Sequence, residues 1–160
     1  MRSEQLRDRR DRLIEATLIH VVFDGWTEAA LMAGARDLGL GREEARLAFP
    51  DGLGEAVLHF SDYADRLMQQ ELAEHDLAAL KIRERIALAV RTRLEVTAPW
   101  REAVRRTLSF FTLPIHAPLA AQATYRTVNA IWYAAGDKST DFNFYTKRAL
   151  LTVVYGATAL

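Results

Sequence analysis

Apolar residues recur at helical spacing along almost the whole chain, and no run of alternating β-branched residues bounded by turn signals competes with them. Leu13, Ile14, Thr17, Leu18, Val21 and Val22 form one stripe, predicting a first helix over Glu4–Phe23 that Gly25 stops. Thr27 caps a second helix ending near Leu38, Gly39 terminates it, and a short third helix covers Arg42–Phe49 before Pro50. Asp51 opens a long fourth helix whose Leu53, Val57, Phe60, Ala64, Leu67 and Met68 face inward. A fifth spans Leu77–Thr97, and Pro99 starts a sixth that reaches Thr112, its missing N–H being one that the first turn leaves unpaired anyway. Pro114 and Pro118 punctuate the link to a seventh, Leu119–Ala135, which Gly136 closes. An eighth begins after Ser139 or Thr140 and runs to the end.

The eighth helix carries the most distinctive pattern. Asp141, Phe144, Tyr145 and Arg148 fall at i, i+3, i+4 and i+7, one stripe that mixes two aromatics with opposite charges. Spacing leaves two arrangements open: the stripe faces outward, or its aromatics pack internally and Asp141 caps the helix. The other side, with Phe142, Thr146, Ala149, Leu150 and Val153, is the better core face.

A chain of 160 residues, half of them apolar and about a quarter charged, has the length and composition of one globular domain with a large core. Its 21 basic and 21 acidic residues cancel, which disfavours general nucleic-acid binding through counterion release. The absence of cysteine fits a reducing compartment, with the cytoplasm as default, and the Ala- and Arg-rich, Lys-poor composition fits a GC-rich bacterial genome. The charged stretch Met1–Arg12 is no secretory signal, and no apolar run approaches the ~18 residues of a membrane span.

Groups at catalytic spacings are lacking. His20, His59, His75 and His116 stand apart from one another, none follows a Glu by three residues, and no HExxH pattern occurs. Leu40 stands where a phosphate loop beginning at Gly34 needs its lysine, and Gly39 and Gly41 form a GxG without the third glycine. None of Ser3, Ser61, Ser109 and Ser139 sits in a GxSxG elbow. These absences predict a binding protein, with no metal, no cofactor and no catalytic residue.

The first three helices, the turn Phe49-Pro50-Asp51 and the long fourth helix resemble the N-terminal region of TetR-type repressors over roughly Arg10–Leu72. In those proteins the third helix reads the major groove, yet here it is Arg42-Glu43-Glu44-Ala45-Arg46-Leu47-Ala48-Phe49, with two glutamates where phosphates would approach. Residues 1–60 hold eight basic and eleven acidic side chains, net −3. The expected fold class is therefore all-α, a TetR-like helical bundle whose N-terminal helix-turn-helix has lost DNA binding. It is expected as one domain over 1–160, with the helix-turn-helix region in 1–50 and the remaining helical region in 51–160.

The run Ala135-Gly136-Asp137-Lys138-Ser139-Thr140-Asp141-Phe142-Asn143-Phe144-Tyr145-Thr146-Lys147-Arg148, preceded by Ile131-Trp132-Tyr133, strongly resembles the signature A-G-D-x-S-T-D-F-N-W-Y-T-R/K-R. That signature marks the ubiquinone (coenzyme Q) biosynthesis accessory protein family, the ninth in the coenzyme Q series. The Arg10–Ala16 start, the Phe49–Gly52 turn and Lys81–Leu94 extend the likeness to nearly the whole chain. The resemblance implies a pocket for an isoprenoid quinone intermediate or phospholipid and a homodimer through the late helices. It also implies presentation of the lipid substrate to the di-iron demethoxyubiquinone hydroxylase. Family partner-binding positions map onto Asp141, Phe144, Tyr145 and Arg148, with Arg148 also at a lipid head group. The implied location is the bacterial cytoplasm at the inner face of the membrane, or the mitochondrial matrix in a eukaryote.

Two departures stand out. Phe144 replaces the usual Trp, keeping an aromatic anchor without its N–H. Family members also continue into an amphipathic membrane-contacting helix, whereas this sequence stops at Leu160, so peripheral membrane association is expected to be weakened. The competing reading from another class is a ligand-responsive TetR-type repressor.

Overall fold

A computed structural model describes residues 2–136 and 142–159, with side chains over 3–136 and 145–156. The described residues form eight α-helices and no strand: α1 (Arg2–Asp24), α2 (Glu28–Asp37), α3 (Arg42–Ala48), α4 (Leu53–Ala73), α5 (Ile82–Val96), α6 (Arg101–Phe111), α7 (Ala117–Ala134) and α8 (Phe142–Ala159). The all-α class is as expected, and three short-linked N-terminal helices before a long fourth fit a TetR-like fold. The chain divides into two compact units, Met1–Tyr63 with Trp100–Leu119, and Ala64–Pro99 with Ala120–Leu160.

In the first unit α1, α2 and α3 pack on one another around Leu13, Ile14, Leu18, Val21, Leu31, Ala45 and Phe49, joined by Val57 and Phe60 of α4 and Ala103 of α6. The stripe at helical spacing on α1 is the one that is buried. The indole N–H of Trp26 donates to Thr107 Oγ1 at 2.8 Å, and Thr107 donates to Ala103 O at 2.9 Å, so these two buried polar groups are paired. Thr27 accepts from the Ala30 N–H at 3.1 Å and starts α2 as predicted.

Gly34 lets α1 and α2 cross closely. A β-carbon there would lie 2.6 Å from the Thr17 backbone nitrogen and 2.7 Å from its Cα, distances that no rotamer change relieves. Gly34→Ala is expected to cost about 1–3 kcal/mol of stability or more, measured by chemical denaturation. At Gly54 the obstructing atom, 2.9 Å away, is the Cδ1 of Leu119, which can move, so Gly54→Ala serves as the mild comparison.

Two helix starts differ from those expected. The chain makes a 3₁₀ turn over Leu77–Ala79, then extends through Leu80 and Lys81 before α5 begins at Ile82. The Glu84 carboxylate accepts the Lys81 N–H at 2.8 Å, which fixes the start of α5 at this local cap rather than at Leu77. Pro99 likewise lies in a 3₁₀ turn, Ala98–Trp100, ahead of α6.

Candidate docking site

The second unit is built on Met68, Leu72, Ala89, Val128, Ile131, Trp132 and Leu151, drawn from α4, α5, α7 and α8. A polar cluster is enclosed with them. Arg93 Nε donates to Asp65 Oδ1 at 2.6 Å, Thr127 Oγ1 donates to the same carboxylate at 3.0 Å, and all three residues are buried. Burial pushes the Tyr155 hydroxyl up from its ordinary pKa; nearby Arg93 opposes that shift and Asp65 adds to it. Asp65, Arg93 and Thr127 therefore tie α4, α5 and α7 together.

α8 settles on the face that the sequence pattern disfavoured. Thr146, Ala149, Leu150 and Val153, expected in the core, are exposed, Leu150 at 66% and Val153 at 73%. Leu151 and Arg148 are buried instead. The physical reason is that α8 is apolar on two sides, so spacing alone does not choose between them. The inward choice is made by a polar contact: Arg148 Nε donates to Asn129 Oδ1 of α7 at 3.0 Å. The Lys147 ammonium lies over the Trp132 ring, 5.5 Å from its centroid, adding a second α7–α8 tie.

The predicted stripe is thereby split. Tyr145 is 70% exposed, whereas Arg148, one turn on, is only 7% exposed and holds α8 to α7. Asp141 and the side chain of Phe144 lie outside the described residues. Asn129 was missed in the sequence, and Trp132 and Lys147 were read with the signature but given no role; a polar Asn one turn before Trp132 was a usable signal.

Elsewhere, two pockets of about 440 and 580 Å³ open beside α1–α3. Arg9, Arg12, Leu38 and Leu40 line the smaller; Glu28, Met32, Arg36 and Arg42 are among the residues of the larger. Both are lined by residues that precede 51, outside the region 51–160. In α3, Arg42 and Arg46 lie 3.6 and 3.8 Å from Glu28 Oε1, and Glu44 accepts from the Gly41 N–H at 2.8 Å and from Arg9 at 2.5 Å. The Gly41 bond, with Arg9 beside it, holds the Glu44 carboxyl below its usual pKa. Among the described residues, no group of three or more His, Asp or Glu side chains could hold a metal ion, and no helix is long and apolar enough to cross a membrane.

The sequence model of the COQ9 family matches residues 117–160. Over 99% of its length the chain is 35% identical to "Ubiquinone biosynthesis protein COQ9, mitochondrial" of Homo sapiens. The rat protein of that name is 36% identical over 93% of the chain, and that of Drosophila melanogaster 30% identical over 94%. The chain belongs to the COQ9 family. It spans about half the length of these COQ9 relatives, 51% of the human protein and 50% of the rat one.

Proposed function

We propose that this chain acts in ubiquinone biosynthesis as a non-enzymatic, lipid-binding accessory protein that presents an isoprenoid quinone intermediate to the di-iron demethoxyubiquinone hydroxylase. The observation that carries the docking half of this proposal is Tyr145, a large aromatic held outward on the helix that carries the second half of the signature. Aromatic side chains in that setting are the residue type most enriched among interface anchors. The lipid half rests on family membership, and each methylene that the protein covers contributes about 0.8 kcal/mol to holding a long isoprenoid tail. The test is a titration of the purified chain against the hydroxylase of the same organism, with mass spectrometry of the lipids extracted from the chain. Saturable binding together with a co-purifying isoprenoid or phospholipid supports the proposal, and absence of both sinks it.

A homodimer through the late helices belongs to the same proposal and is supported by the apolar run Leu150, Val153 and Val154, which α8 leaves uncovered. Leu150→Glu combined with Val153→Glu is expected to convert dimer to monomer in light scattering. A wild-type chain that is already monomeric at micromolar concentration would remove this element.

The repressor alternative meets an electrostatic obstacle. Arg42 and Arg46 already face Glu28, and the Glu44 carboxylate sits on the same helix. With the net −3 of residues 1–60, α3 is expected to show no sequence-selective DNA shift at any salt concentration. A selective complex that weakens steeply with salt would restore the repressor.

A further inference from the structure

We infer that Arg85 is a positioning residue for the docking segment: it fixes the point at which the chain leaves α7 and enters the signature. The inference rests on the docking role proposed above. Arg85 is half-buried on the first turn of α5, and its guanidinium reaches three backbone carbonyls. Nε donates to Leu80 O at 2.9 Å, Nη2 to Ala78 O at 3.4 Å, and Nη1 to Ala135 O at 3.3 Å. The first two carbonyls belong to the segment before α5, the third to Ala135, the residue that follows α7. Carbonyls at the end of a helix have no partner within it, and Ala135 is buried, so the guanidinium supplies what the α7 end lacks.

The chain turns at the same place. Gly136 has φ +83°, where a β-carbon is strained, and a β-carbon there would meet Arg85 Nη1 at 3.3 Å. Glycine at 136 and arginine at 85 are therefore matched: one permits the turn and the close approach, the other holds the α7 end against the turn preceding α5. Lysine cannot replace the arginine, because three carbonyls in different directions need the planar fork of donors that an ammonium lacks. It acts by fixing the backbone at Ala135, from which the signature departs.

The test titrates the hydroxylase against the wild-type chain and the variants Arg85→Ala, Arg85→Lys and Tyr145→Ala, with amide exchange at Ala135 and Gly136 and thermal melting of each. Both Arg85 variants are expected to bind about tenfold more weakly, as a loosened support shell does, with faster exchange at Ala135 and Gly136. Millimolar methylguanidinium should restore affinity to Arg85→Ala and not to Arg85→Lys, which a general loss of stability would not reproduce. If Arg85→Ala melts too low to assay, Arg85→Lys decides, and full affinity there overturns the inference. Wild-type affinity in the Arg85 variants alongside a weakened Tyr145→Ala overturns the positioning role and leaves docking intact. Wild-type affinity in all three defeats the docking role itself. Weakened binding with unchanged exchange at Ala135 and Gly136 also overturns the inference, since Arg85 would then act by direct contact.

Discussion

Replacing Arg93 with methionine is expected to lower stability by about 3–5 kcal/mol, because the buried Asp65 carboxylate loses the guanidinium that neutralises it. Methionine fills much of the same volume, so the loss reports the charge more than a cavity. At roughly 3 °C per kcal/mol for a chain of this size, the melting temperature should fall by about 10 °C or more. The Tyr155 hydroxyl should also titrate still higher, since Arg93 is the neighbour that pulls its pKa down. The double replacement Asp65→Leu with Arg93→Met removes both charges and should recover most of the stability, as apolar substitutes for buried ion pairs commonly do. Denaturant melts of the three proteins check this. An Arg93→Met chain as stable as wild type would mean that the pair is solvated in solution.

Helix positions were legible because each helix end has local chemistry: Thr27 as a cap, Gly25, Gly39 and Gly136 as stops in the left-handed region, and prolines at the links. The α1 stripe was legible for a different reason, since its opposite face is charged and only one side could be buried. α8 lacks that contrast. With Leu150 and Val153 on one side, Leu151 on another and Arg148 between, periodicity gave no unique inner face, and the choice was made by Asn129, nineteen residues away on α7. Long-range polar pairs such as Asp65 with Arg93, or Arg85 with Ala135, were invisible for the same reason: nothing within one helix announces its partner on another. The candidate site was legible only in part, through its signature. Its exposed aromatic stands where the outward arrangement put it, but its arginine points into the structure.

That split changes what the stripe variants should do. Tyr145 is 70% exposed, so Tyr145→Ala removes almost no buried contact and should leave stability within about 0.5 kcal/mol of wild type. If it anchors the hydroxylase, the same change should cost about 2 kcal/mol of binding, roughly a thirtyfold rise in Kd. Phe144→Ala is expected to weaken binding comparably. Arg148→Ala should behave differently: the 7% exposed side chain leaves Asn129 Oδ1 without the donor it now has, a loss of about 1–3 kcal/mol in folding that melting detects. Reversing the charge with Arg148→Glu sets an acceptor against that oxygen and should weaken folding and docking together. The decisive comparison is therefore Tyr145→Ala, in which affinity and stability should separate. Unchanged affinity for the hydroxylase in that variant and in Phe144→Ala would show that the aromatic face of α8 docks no such partner.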